Sequence, residues 1–136
     1  MKITVEKLVK ANLAKVWDAW NTPADIRQWN AASDDWHTTK SSVDLREGGT
    51  FSARMEAKDG SFGFDFAGTY TRVVPNEAIE YRIGDGRAVA VLFTEQPEGV
   101  LVSETFETES LHTPEMQRAG WQSILDNFGR YVEAQA

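Results

Sequence analysis

A chain of 136 residues suits a single domain, and a domain of that size buries about 70% of its surface on folding. Charged residues at 26% and hydrophobic ones at 41% are the proportions of an ordinary soluble globular protein. The net charge of −7 argues against nucleic-acid and anionic-membrane surfaces, because both are bound through clusters of Lys and Arg.

In chain order, "KITVEKLVKA" is rich in β-branched and apolar residues and predicts a first strand. It alternates too early and too often for a signal peptide, and no apolar run approaches a membrane span, so a cytoplasmic location is expected. Asn12 is placed to cap a helix over "LAKVWDAW", where Leu13, Val16, Trp17 and Trp20 share a face. "TPADIRQW" restarts a helix, with Thr22 as N-cap and Pro23 at the first helical position. The absence of Cys removes disulfide and thiolate chemistry and is neutral about compartment.

From Asp34 to Thr108 the pattern changes to strands divided by turns. "EGGT", "KDGS", "GDGR" and "QPEG" supply Gly for tight hairpins, and "VPNEA" supplies Pro and Asn. Between them lie "TFSARMEA", "FGFDFAGTYTRVV", "AIEYRI", "AVAVLFT" and "VLVSETFET", which predict an antiparallel meander of five or six strands. Last, Thr113 and Pro114 open a long helix whose Trp121, Ile124, Leu125, Phe128, Tyr131 and Val132 form one apolar stripe. A six- or seven-stranded sheet coils, and one helix cannot fill its whole concave side. The two short helices can close one end, which leaves space between the sheet and the long helix.

Five segments occur together in this order: "ANLAKVWDAWNTPADIRQW", "REGGTF", "GTYTRVVPNEAIEY", "VSETFE" and "GWQSILDNFGRYVE". Together they resemble single-domain proteins related to the activator of the heat shock protein 90 ATPase, within the START-like, birch-pollen-allergen-like (SRPBCC) superfamily. The resemblance spans Ile3 to Val132 and implies one START-like domain over residues 1–136. It implies an α+β helix-grip fold, in which a curved antiparallel sheet wraps a C-terminal helix around a hydrophobic cavity. Members of the superfamily bind lipids, sterols, polyketides or plant hormones, and a few catalyse cyclisation or dehydration. The resemblance carries no shared catalytic set, so it implies cavity-lining positions and no active site. The eukaryotic co-chaperones of the family have a separate N-terminal chaperone-binding domain, which is not expected within these 136 residues.

Strand periodicity then nominates the lining. Phe62, Phe64, Phe66, Gly68 and Tyr70 share a face, and Gly68 interrupts that aromatic row as though another group approached there. Phe51, Ala53 and Met55 extend the wall, as do Ile79, Tyr81 and Ile83, and Val89, Val91 and Phe93. All of these residue types serve plain cores equally well. Glu104 falls in register with Val100, Val102 and Phe106; on an apolar face a carboxyl has a raised pKa or a partner. A bulge turning it outward, or an Arg beside it, would make it structural.

Trp29 and Trp36 flank the passage from helix to strand, and "DDWH" reads as a solvated loop, since His112 is distant and no HxxxH or CxxC spacing exists. No Ser sits in a GxSxG elbow, and no Gly-rich turn joins a strand to a helix as a phosphate loop does.

The resulting expectation is non-catalytic binding of a small hydrophobic or amphipathic ligand. The expected lining is Trp36, Phe51, Met55, Phe64, Phe66, Gly68, Tyr70, Tyr81, Phe93, Glu104, Phe106, Trp121, Leu125 and Phe128, with Leu125 and Phe128 facing the space. Neither metal nor cofactor is expected, and the chain is expected to be a monomer or weak dimer. One alternative is an enzyme of polyketide cyclase or aromatase type, using Glu104 with Tyr81. The other is a co-chaperone-like partner-binding protein, which predicts an exposed apolar patch.

Overall fold

The computed structural model describes residues 1–135. Strand β1 (Lys2–Val9) is followed by helices α1 (Leu13–Asn21) and α2 (Pro23–Trp29). Six strands come next: β2 (Trp36–Val43), β3 (Thr50–Ala57), β4 (Gly63–Val74), β5 (Ala78–Ile83), β6 (Ala88–Gln96) and β7 (Gly99–Glu107). Helix α3 (Pro114–Gln135) ends the chain.

The sheet order is β1-β7-β6-β5-β4-β3-β2 with every neighbour antiparallel, so β2 to β7 form a meander and the first strand closes onto the last. This is the helix-grip fold. The chain crosses from β1 at one edge to β2 at the other through α1 and α2, and these helices therefore sit across one end of the sheet.

Local chemistry explains the boundaries. The Asn12 side chain accepts from the backbone N–H of Lys15 at 2.9 Å and caps α1. Thr113 Oγ1 accepts from the N–H of Met116 at 3.1 Å and caps α3. Thr22 departs from expectation: its hydroxyl donates to the Asp18 carbonyl at 2.6 Å, finishing α1, and Pro23 alone starts α2. The β4–β5 turn places Asn76 at φ 63° and the β5–β6 turn places Gly86 at φ 92°, the left-handed conformations that tight reversals require.

The meander has six strands, one more than the five segments quoted for it. "DDWH" is not a loop throughout, because Trp36 and His37 begin β2 and are half-buried. The strand was hard to read because "WHTTKSSV" lacks apolar alternation. Its one fully buried side chain is Thr38, whose hydroxyl donates to the Asn30 carbonyl at 2.7 Å. A bulge between Thr38 and Lys40 then resets the period, so that Thr38, Ser41 and Val43 share the concave face. A second bulge, between Tyr70 and Arg72, does the same in β4. It turns Val73 inward opposite Ile79 and leaves Arg72 outside, bonded to Glu80 at 3.0 Å.

Helix α3 lies along the β1 side of the concave face. Arg118 and Gln122 donate to the β1 carbonyls of Thr4 and Glu6, each at 3.0 Å, and Gly129 admits the stem of Lys7. At the closed end, Phe128 meets the rings of Trp20 and Trp29 at 4.9 and 4.8 Å, and Trp17 meets Phe93 at 5.2 Å. Leu125, Phe128, Val91, Val100, Val102 and Phe106 are fully buried in that core. No helix is long and apolar enough to cross a membrane among the described residues.

Candidate functional site

Because α3 sits toward β1 and α2 sits on β2, the concave face of β3 to β5 is left uncovered between them. The result is a cavity of about 320 Å³. Its wall is mainly apolar: Phe51 and Met55 from β3, Phe64 and Phe66 from β4, and Trp121 and Ile124 from α3. Polar groups enter from four strands, as Ser41, the hydroxyls of Tyr70 and Tyr81, and the carboxyl of Glu104. Ser42, Phe64 and His112 among the lining residues are exposed, so the space opens to solvent.

The register places each inward side chain. Tyr70 stands opposite Tyr81 across β4 and β5, and Ala53 stands opposite Phe66 across β3 and β4. Glu104 pairs with Val91 on β6 and Val5 on β1, so no cation faces it from either neighbouring strand. It is 5% exposed, and burial raises its pKa from 4.5 to about 8. Burial likewise pushes the Tyr81 phenol well above its ordinary value, with the nearby Glu104 charge adding to the effect. Tyr70 is pushed up to about 12, by burial first and Asp44 second. At neutral pH all three groups therefore hold their protons.

Of the expected lining, Phe51, Met55, Phe64, Phe66, Tyr70, Tyr81, Glu104 and Trp121 form part of the cavity wall. The other six are placed elsewhere. Trp36 lies against the exposed rings of Phe62 and Phe64, at 6.0 and 5.9 Å between centroids, where the edge strand β2 begins opposite Ala57 at the end of β3. Gly68 leaves no gap: the Phe51 ring packs over it, and a Cβ there would stand 2.9 Å from that ring and 2.5 Å from the Arg82 carbonyl oxygen. Phe93, Leu125 and Phe128 belong to the solid aromatic core under α1 and α2. Phe106 is covered by Trp121, whose ring stacks on it at 4.1 Å and 9°.

The expected polarity of α3 is thus reversed. Its first half, Gln117, Trp121 and Ile124, faces the cavity, and its second half fills the core, because the two short helices occupy the end where Leu125 and Phe128 arrive.

Sequence reasoning also missed several lining residues. Gln117 stands one helical turn before Trp121, and that spacing was its available signal. Its amide donates to the carbonyls of Glu109 and His112 at 3.1 and 2.8 Å and accepts from the Glu109 N–H at 2.9 Å, fastening the β7–α3 loop. Arg87, Glu109 and His112 line the same side, with His112 Nδ1 2.9 Å from Glu109. The hydroxyl of Ser41 is buried and unpaired, and the bulge in β2 hid its facing from any period-two reading. No group of three or more His, Asp or Glu side chains that could hold a metal ion is present among the described residues.

The family profile described as Activator of Hsp90 ATPase homolog 1-like protein matches residues 10–133. The solution structure of an AHSA1-like protein from Aeromonas hydrophila is 55% identical, over 99% of this chain and 94% of that one, with a TM-score of 0.94. A solution structure from Cytophaga hutchinsonii is 47% identical, over 98% of this chain and 93% of that one, with a TM-score of 0.84. A crystal structure from Nitrosomonas europaea shares the fold at 16% identity, over 100% of this chain and 96% of that one, with a TM-score of 0.86. No curated protein matches the chain.

Proposed function

The chain belongs to the family of Activator of Hsp90 ATPase homolog 1-like proteins, and from that premise we propose that it binds a small hydrophobic or amphipathic molecule without transforming it. It would act in the cytoplasm as a monomer or weak dimer. The observation that carries this reading is the aromatic-walled space of about 320 Å³ between α3 and strands β3 to β5. Ligand sites have this character: concave, mainly apolar, with a few polar groups that set orientation. Burial of apolar ligand surface would supply the affinity, at about 25 cal/mol per Å².

An environment-sensitive apolar dye or a fatty acid should bind at about one per chain with a micromolar Kd, or ~8 kcal/mol. Ala53 lines the cavity from β3, so Ala53→Leu should fill part of it and abolish binding while the protein stays folded. If the wild-type protein takes up no apolar probe, the reading is wrong. Native mass spectrometry of freshly purified protein would identify a co-purified ligand directly.

The partner-binding reading that the family's name suggests is favoured by one observation, the rim formed by Trp36 and the exposed rings of Phe62 and Phe64. It predicts that the chain raises the ATPase rate of a heat shock protein 90 chaperone and that Phe62→Ser removes the increase. An unchanged rate with the wild-type chain rejects it.

A further inference from the structure

Besides the hydroxyls of Ser41 and Tyr70, two further polar side chains in the cavity wall lack a protein partner among the described residues. The Glu104 carboxyl and the Tyr81 hydroxyl are 5% and 6% exposed, and neither makes a hydrogen bond among the described residues. Both border the cavity, and the register carries Glu104 across Val91 to Ile79, two residues from Tyr81 on the same face of β5. An apolar ligand seated against them would shut off water and leave both polar groups unmatched, which is unfavourable. A ligand that satisfies both groups would therefore gain more than an apolar one of the same shape.

We propose that Glu104 and Tyr81 form a two-donor site for one acceptor oxygen, so that the cavity selects apolar molecules carrying a ketone or similar carbonyl group. This rests on the ligand-binding reading above and specifies its chemistry. The surroundings of Glu104 favour the acid form as donor. Val5 and Val91 flank it on β1 and β6, Tyr81 and Tyr70 face the cavity from β5 and β4, and α3 presents only Gln117, Trp121 and Ile124. The remaining charges on the wall are engaged with other groups: Arg87 with Asp85 at 2.8 Å, and Glu109 with His112 at 2.9 Å. A carbonyl oxygen has two lone pairs and can accept from both donors at once. An ammonium ligand would partner Glu104 but leave the Tyr81 proton unmatched, and it would bring two ions out of water together.

The test compares three probes of one shape by calorimetry at about pH 6, where free carboxyl groups are ionised: methyl naphthyl ketone, isopropenylnaphthalene and aminoethylnaphthalene. The ketone should bind about tenfold more tightly than the alkene, the sum of two modest hydrogen bonds. Tyr81→Phe should reduce that preference, Glu104→Leu should remove most of it, and Glu104→Gln, whose amide still donates, should retain it. The preference should also shrink as pH rises through about 8, when the carboxylate loses its donor. Carboxyl-carbon NMR of the wild-type protein gives a readout without substitution, since bound ketone should raise the pKa of Glu104 further. Equal affinity for ketone and alkene overturns the two-donor site and leaves the cavity reading standing. Tightest binding of the amine, with a lowered Glu104 pKa, also overturns it and makes Glu104 a counter-ion. If none of the probes binds, the ligand-binding reading itself falls and the inference falls with it.

Discussion

Glu104 shows how one residue links register to solution behaviour. Its pKa is about 8 when folded against 4.5 for a solvated carboxyl, so between those values the folded chain keeps a proton that the unfolded chain has lost. Stability from this group is complete below about pH 4.5 and is lost as pH rises through about 8, at about 1.4 kcal/mol per pH unit across that window. Glu104→Gln should abolish this slope. Urea unfolding of both proteins at several pH values will show it, and parallel pH profiles would mean that the carboxyl is solvated. Gly68 obeys a different constraint. With a Cβ only 2.5 Å from the Arg82 carbonyl oxygen, Gly68→Leu should destabilise the protein by roughly 1–3 kcal/mol or more, unlike Ala53→Leu, which extends into open space. Comparison of the two denaturation midpoints decides whether the void lies beside Ala53.

At the scale of elements, α3 divides its work along its length. Trp121 is half-buried, stacked on Phe106 on one side and facing the cavity on the other. Trp121→Ala should therefore cost about 3 kcal/mol, the lower end for a large aromatic, and Phe128→Ala in the solid core should cost more, up to about 5 kcal/mol. Thermal unfolding of both variants checks the order, and the reverse order would place the cavity under the second half of the helix. The stripe from Trp121 to Val132 was legible from its spacing of three and four. Which half meets the void was not, because that depends on where α1 and α2 dock. Strand β2 was illegible for a related reason. Its inward residues Thr38 and Ser41 are polar, and the bulge between them breaks the period on which strand reading relies.

For the whole molecule, protection should be uneven. Strands β1, β6 and β7 carry the packed core beneath α1 and α3, whereas β2 is an edge strand and β3 to β5 border the cavity. Amide hydrogen exchange should be slowest in β6 and β7 and faster in β2 and β3, and a bound ligand should slow the β2–β5 group selectively. Uniform protection with and without an apolar probe would show that the cavity does not weaken its own walls.

By itself, the sequence determined the order of elements, the capped helix starts, the antiparallel meander and the inward register of Glu104, since these follow from local periodicity and turn chemistry. The family resemblance, carried by five short segments in order, extended that to the helix-grip fold. Only the tertiary structure decided that β1 closes onto β7, that the Phe51 ring covers Gly68, and that the void lies beneath the first half of α3. Those outcomes depend on distances between groups far apart in the chain. An apolar residue reads the same in a sequence whether its face meets another side chain or empty space, and packing alone distinguishes the two.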